Sequence, residues 1–171
     1  MEKLNLRQRF ALLVYGFTAA AFGGWVYEEI CIYVMYRQIY NRGMLHLTIC
    51  PIYGFGAWGL YLLLHRVRKP VWFYILSVIV ASVFEYACAC LLEFAFHRTY
   101  WTYSDWPLSI DDRISLISSG IFGLLALLFA NGILPVLRKQ VQKHSGTADC
   151  IAAACILAVI AADFIIVVLH Y

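Results

Sequence analysis

Five long apolar blocks divide the sequence, and they limit its possible folds more than any other feature. They cover about residues 10–36, 51–67, 71–96, 114–137 and 150–169, and polar residues separate them. A bilayer core of roughly 30 Å takes about 20 helical residues to cross, and each block approaches that length. We therefore predict an all-α polytopic membrane protein, with one transmembrane domain over residues 1–171 and five spanning helices.

Composition supports the same class of protein. Of the 171 residues, 63% are hydrophobic and only 13% are charged, which leaves too little polar surface to cover a soluble globule. Apolar sequence continues past Ala19, Ala20 and Ala21 as far as Tyr36. For that reason we expect the first block to stay in the chain as a span, and not to be removed as a cleaved signal peptide.

Basic residues predict the orientation of the bundle. Nine of them fall on one side: Lys3, Arg7, Arg9, Arg66, Arg68, Lys69, Arg138, Lys139 and Lys143. Four fall on the other side together with three acids: Arg37, Arg42, Arg98, Arg113, Asp105, Asp111 and Asp112. The positive-inside rule then places the N-terminus in the cytoplasm and the C-terminus outside, with the protein in the plasma membrane.

Small residues at four-residue spacing mark helix faces that can approach another helix closely. The first block carries Gly16, Ala20 and Gly24, and the same row continues to Glu28. Two further rows lie in blocks four and five: Ser115, Ser119 and Gly123, then Ala154, Ala158 and Ala162. We expect these rows to pack within the bundle or in a homo-oligomer, which would place Glu28 in protein rather than in lipid.

Ionisable side chains inside a membrane are candidates for function. By helical rise, Glu28 and Glu93 are expected toward the outer interface and Asp163 near the midplane. We expect one outward-facing binding pocket from these residues: Glu28, Asn41, Arg42, His46, Tyr53, Glu85, Glu93, Trp101, Tyr103 and Arg113. The alternative is structural ion pairing, in which Arg42 and Arg113 neutralise Glu28 and Glu93.

The start of the second helix is a separate candidate feature. Pro51 suits the first turn of a helix. This helix is expected to begin at the outer face, where its exposed N-terminus could hold an anion.

The sequence lacks the motifs of several common enzyme and nucleotide-binding sites. There is no phosphate-binding loop, so no ATP site is expected in this chain, and no dinucleotide, zinc-protease or serine-hydrolase motif occurs. Cys88 and Cys90 point to different faces of a helix, which fits neither a local disulfide nor a shared metal. We expect no cofactor, no metal and no nucleic-acid partner, and the basic loops fit contact with lipid headgroups.

Several runs of the sequence resemble the CmpB-like family, which is labelled putative ABC-transporter type IV and grouped with the vertebrate transmembrane protein 229 proteins. The runs are Gly24-Trp25-Val26-Tyr27-Glu28, Asn41-Arg42-Gly43-Met44-Leu45, Cys50-Pro51-Ile52-Tyr53-Gly54, Glu85-Tyr86, Leu92-Glu93 and Trp101-Thr102-Tyr103-Ser104. The resemblance covers about residues 16–125, and it implies a multi-pass membrane protein related to transport.

The chain departs from the family pattern at a few positions. Thr102 stands where the family usually has Asp, and Ser109 and Asp112 stand where it usually has Asn and Gly before the arginine that matches Arg113. His46 occupies a place where the family tends to have Gly-Pro nearby. If the missing aspartate acts in function, that function is altered or lost here.

Three functions remain open at this point. The first is a small oligomeric transport or permeation protein with a cationic or amphiphilic substrate, which would need a separate ATPase for any ABC-type role. The second is a membrane-embedded enzyme that acts on a lipid, with a glutamate or His46 as general base. The third is an accessory or sensor subunit that binds a membrane partner. Transport and accessory roles rank above the enzyme.

Overall fold

The computed structural model describes residues 4–38, 45–99, 101–143 and 146–170, and α-helices make up most of them. The helices are α1 (Leu6–Tyr36), α2 (Pro51–Leu64), α3 (Pro70–Phe96), α4 (Leu116–Leu128), α5 (Leu134–Lys143) and α6 (Thr147–His170). A π-helical turn, Phe129–Ile133, joins α4 to α5. Two short antiparallel strands, β1 (Ser109–Ile110) and β2 (Ile114–Ser115), precede α4.

Four helical segments of the described chain are long and apolar enough to cross a bilayer. They are Leu6–Tyr36, Pro70–Ala95, Leu116–Lys143 and Thr147–His170. This confirms an all-α, multi-pass membrane protein. The second predicted span, residues 51–67, contains only the 14 residues of α2, which correspond to roughly 21 Å of helix.

Local sequence explains where the helices begin. Asn5 caps α1, because its side chain accepts from the Gln8 amide at 2.8 Å and the Gln8 side chain accepts from the Asn5 amide at 3.0 Å. Ser115 caps α4, whose first residue is Leu116. The sequence predicts a fourth span from residue 114, but Ile114 and Ser115 pair with Ile110 and Ser109 as β2, and the helix begins after them.

The chain divides into two compact units. The first contains Met1–Trp58 and Asn131–Tyr171, and the second contains Gly59–Ala130. The two divisions fall inside α2 and inside the π-helical turn. The prediction of one domain over the whole chain stays a prediction.

In the first unit, α1 and α6 run parallel. Their N-terminal ends meet where the Arg7 guanidinium donates to the Thr147 hydroxyl at 2.8 Å. One turn later, Ala11 and Val14 form a buried cluster with Ala153. Ala153 therefore lies on the packed face of α6, whereas the predicted row of Ala154, Ala158 and Ala162 is exposed in the single chain.

Helix α2 starts beside the middle of α1 and runs antiparallel to it. The Cys50 amide donates to the carbonyl of Ala21, the central residue of α1, at 3.0 Å. Seven residues after Pro51, the Trp58 indole donates to the Leu13 carbonyl at 3.1 Å. The chain before Pro51 thus packs against the centre of α1, and the prediction that α2 begins at the outer face stays a prediction.

Two glycines of α1 make this packing possible. Any Cβ at Gly24 would collide with the Tyr53 ring, and one at Gly16 would lie 2.8 Å from the Trp58 ring. Both glycines are buried. The predicted small-residue row of α1 is thus confirmed at these two positions, where the aromatic rings of α2 lie directly on the α1 backbone.

The second unit is built on an antiparallel pair, α3 and α4. The Ser82 hydroxyl donates to the Ser119 hydroxyl at 2.8 Å. One turn further along α4, Gly123 packs against Val78 and Tyr74. The predicted row of Ser119 and Gly123 is therefore confirmed as a packing face. Toward the N-terminal end of α3, an apolar cluster contains Leu60, Leu64, Phe73 and Ala126.

Candidate functional site

The predicted site residues fall into two groups, one in each unit. Glu28, His46 and Tyr53 belong to the first unit. The second unit holds the remaining described ones: Glu85, Glu93, Trp101, Tyr103 and Arg113. Asn41 and Arg42 lie outside the described residues, so the suggested pairing of Arg42 with Glu28 stays a prediction.

In the first unit, Glu28 is held by a tyrosine. The Tyr53 hydroxyl donates to Glu28 Oε1 at 2.6 Å. Close packing on Gly24 fixes the Tyr53 ring, and the Tyr27 ring meets it edge to face with centroids 6.1 Å apart. This short bond to an acceptor on α1 connects the first turn of α2 to the C-terminal half of that helix.

Asp163 is the centre of a second cluster in the first unit. Its Oδ1 lies 2.8 Å from His46 Nδ1, and its Oδ2 accepts from the Leu47 amide at 3.1 Å. The Asp163 side chain is 12% exposed. Both carboxylate oxygens of Asp163 therefore hold the chain segment that leads into α2.

Residues 45–50, which we call the entry segment, alternate between buried and exposed side chains. Leu45 and Ile49 are buried in a cluster with Ala21 and Val167. Between them, the His46 side chain is 71% exposed and Thr48 is exposed as well. The apolar side chains anchor the entry segment between α1 and α6, and the polar ones face away from that cluster.

Asp163 is the site residue that the sequence prediction missed. The predicted pocket does not include it, because its partners lie more than a hundred positions away in the sequence. The available signal was its isolation, since Asp163 is the one charged residue between 150 and 169. A single carboxylate in an otherwise apolar span requires a partner from elsewhere in the protein.

In the second unit, Glu85 is held by another tyrosine. The Tyr103 hydroxyl lies 2.6 Å from Glu85 Oε1 and 2.9 Å from the hydroxyl of the fully buried Ser118. The Tyr103 amide donates to the Asp112 carbonyl at 2.8 Å. Tyr103 thus connects the loop before α4 to both α3 and α4.

Glu93 and Arg113 form an ion pair in the same unit. Arg113 Nη2 and Nε donate to Glu93 Oε2 at 2.6 and 3.2 Å, and the Trp101 indole donates to the Arg113 carbonyl at 3.1 Å. The hydrogen bond to Glu93 raises the pKa of Arg113 above its ordinary value, so this guanidinium stays charged. The structural ion pairing expected for Glu93 is confirmed.

Tyr86 extends this ion pair toward the loop. The Arg113 guanidinium carbon lies 5.7 Å from the centroid of the Tyr86 ring, within cation–π range. The Tyr86 hydroxyl donates to Asp111 Oδ2 at 2.7 Å. Glu85, Glu93 and Asp111 therefore hold the loop before α4 against α3.

The departures from the family pattern preserve the local backbone. Asp112 has φ 55°, in the left-handed region that glycine adopts freely and aspartate tolerates. The Thr102 hydroxyl accepts from the Ser104 amide at 3.3 Å, a turn that an aspartate at this position would also form. Asp112 and Thr102 thus each suit the backbone conformation that the structure shows at their positions.

The described part of the chain contains no cluster of metal ligands and no disulfide. There, no group of three or more His, Cys, Asp or Glu side chains is placed to hold a metal ion. The six cysteines are all free thiols. What the two units offer chemically is a set of carboxylates in a membrane protein, held mainly by hydroxyl, imidazole and amide donors.

Comparison with known proteins gives one match. No curated protein and no solved structure matches the chain. A family model described as Putative ABC-transporter type IV matches residues 15–168, which is nearly the whole chain and extends the resemblance to α6 and Asp163. The chain therefore belongs to the CmpB-like family of multi-pass membrane proteins described as putative ABC-transporter type IV.

Proposed function

We propose that this protein is the membrane-embedded part of a small transport system in the plasma membrane. Its substrate would be a cationic or amphiphilic molecule that enters from the outer side. The family description supports a transport role. Because the sequence has no phosphate-binding loop, any ATP-driven role would require a separate ATPase bound to an oligomer of this chain, whereas a membrane potential can drive a cation without one.

The topology belongs to the same proposal. The chain crosses the membrane five times, with the N-terminus in the cytoplasm and the C-terminus outside. In this arrangement α2, which begins beside the middle of α1 and runs antiparallel to it, completes the second crossing. Support comes from the start of α2 beside Ala21 and from the nine basic residues on one side against four on the other.

The observation that carries the transport proposal is the helix that begins midway along α1. Transporters often build their substrate sites from helices that are interrupted near the membrane midplane. Irregular backbone at that depth is tolerated only where protein covers it or where it lines a water-filled cavity. Here the irregular entry segment lies against Asp163, and the first turn of α2 lies against Glu28.

Uptake into proteoliposomes tests this proposal. The purified protein is reconstituted, and uptake of the fluorescent amphiphilic cation ethidium is followed under an imposed inside-negative potential. Uptake should exceed that of empty liposomes. It should fall several-fold with Glu28→Gln and with Asp163→Asn, because each substitution removes a negative charge from the proposed path.

Asp111→Asn is the matched control. It also replaces a carboxylate by an amide, but Asp111 lies in the loop between β1 and β2 and its partner is Tyr86. Uptake by this variant should equal that of the wild type. Ethidium uptake no faster than in empty liposomes under the imposed potential would show that the proposal is wrong.

A further inference from the structure

We infer that the His46–Asp163 pair is a water-accessible binding site for a small cationic group, located at mid-depth in the membrane. The inference rests on the proposed transport function and names the place where its substrate meets a negative charge. The site lies entirely within the first unit, between the entry segment and α6. Its depth, its exposure and its charge each contribute to the argument.

The depth of the site follows from the packing of the entry segment. Cys50, the last residue of that segment, is hydrogen-bonded to Ala21 in the centre of α1. Helix α1 has 31 residues, about 46 Å of helix against a bilayer core of roughly 30 Å. The middle of α1 therefore lies near the middle of the membrane, and the entry segment lies at that level.

The exposure of the site indicates water. At this depth Leu45 and Ile49 point into protein, whereas the His46 side chain is 71% exposed and Thr48 is exposed. An imidazole and a hydroxyl that faced hydrocarbon would lose hydration without gaining enough hydrogen bonds. Irregular backbone at this depth is either covered by protein or lines a water-filled cavity. Because His46 and Thr48 are exposed, we assign the second case to this face of the entry segment.

The charge of the site selects a cation. When His46 is neutral, the pair carries the single negative charge of Asp163. The Leu47 amide donates to Oδ2, the His46 ring lies against Oδ1, and a backbone hydrogen bond from His46 also reaches the carboxylate. Because that ring is mostly exposed, it can turn away into water and leave Oδ1 to an ammonium or another small cation.

Cysteine modification tests the inference. Thr48→Cys is the reporter, and Ile165→Cys is its control, because Ile165 is 56% exposed and lies on α6 two residues from Asp163. Intact protein in right-side-out vesicles is treated with two membrane-impermeant thiosulfonates of similar size, one cationic and one neutral. Peptide mass spectrometry locates each adduct, so the six native cysteines remain in place.

The expected result has two parts. Thr48→Cys should react with both reagents while Ile165→Cys stays unmodified, since a thiol in lipid meets neither reagent. Adding Asp163→Asn to the reporter should lower the cationic-to-neutral rate ratio about threefold, which corresponds to one unit charge lost at about 6 Å in a water-filled opening.

Each contrary outcome overturns the inference. If Thr48→Cys resists both reagents as Ile165→Cys does, the entry segment does not face water. If it reacts but Asp163→Asn leaves the rate ratio unchanged, Asp163 does not attract cations. Modification needs no transported substrate, so a protein that is labelled as expected but takes up no ethidium would disprove the transport proposal alone.

Discussion

Four carboxylates in the long helices each accept a hydrogen bond from a side chain in another part of the chain. Tyr53 donates to Glu28, and Tyr103 donates to Glu85. Arg113 pairs with Glu93, and His46 lies against Asp163. Tyrosine hydroxyls suit this role because they satisfy a carboxylate without bringing a second charge into the membrane. At the residue scale, the acids connect separate parts of the chain. They connect the first turn of α2 to α1, the entry segment to α6, and the loop before α4 to α3.

Replacing Tyr103 by Phe tests such a connection. The substitution removes the hydroxyl that bonds Glu85 and Ser118 while keeping the ring, so a half-buried carboxylate loses a short hydrogen bond. We expect a loss of about 1–3 kcal/mol in the free energy of unfolding. Thermal unfolding of the purified variant in detergent measures it as a lowered midpoint.

Tyr86→Phe is the control for this prediction. It removes the same atom from another tyrosine of the second unit, whose bond to Asp111 is exposed to solvent. The expected loss is within about 0.5 kcal/mol, as for most surface substitutions. Equal losses for Tyr103→Phe and Tyr86→Phe would contradict the role assigned to the buried network.

At the scale of elements, the sequence was sufficient for the long helices. Predicted spans 10–36, 71–96 and 150–169 correspond within a few residues to α1, α3 and α6, because hydropathy summed over a span is insensitive to packing. The position of α2 along α1 was not predictable in the same way. It depends on the Tyr53 and Trp58 rings lying on Gly24 and Gly16, and no single-sequence pattern pairs these four residues.

The candidate site was predictable only in part, for a related reason. The glutamates, both tyrosines and Arg113 were expected from residue type and position within a span. Which acid meets which donor depends on tertiary contacts, so the sequence groups His46 with the glutamates although it lies against Asp163. The Glu93–Arg113 pair was one of two alternatives that the sequence left open, and the structure shows it at 2.6 Å.

A pair of neighbouring glycines in α1 tests the packing of α2. Gly24→Ala places a methyl group against the Tyr53 ring, whereas a methyl group at Gly23 would meet no atom within 4 Å. We expect Gly24→Ala to destabilise the protein by about 1–3 kcal/mol, and Gly23→Ala to be neutral or slightly stabilising, since alanine favours helix.

Thermal unfolding in detergent compares the two variants. Relative to the wild type, the intrinsic Tyr and Trp fluorescence should change in Gly24→Ala and stay the same in Gly23→Ala. The reason is that the Tyr53 ring must move to admit the methyl group at position 24. A Gly24→Ala variant as stable as Gly23→Ala would mean that α2 does not pack on this part of α1.

At the scale of the whole molecule, the number of crossings decides how the chain is arranged in the membrane. Four helical segments of the described chain are long enough to span, and four crossings would put both termini on the same side. Our account has five crossings, because α2 starts beside the middle of α1, runs antiparallel to it and completes the second crossing. The two arrangements therefore differ in the side on which the C-terminus lies.

Epitope tags at the two termini, read with antibodies on intact and on permeabilised cells, test this account most directly. Two membrane proteins of known topology carry the same tags as controls, one with both termini in the cytoplasm and one with its termini on opposite sides. We predict that the C-terminal tag is stained on intact cells and that the N-terminal tag is stained only after permeabilisation. Both tags on the same side of the membrane would contradict the five-crossing arrangement, and with it the crossing assigned to α2.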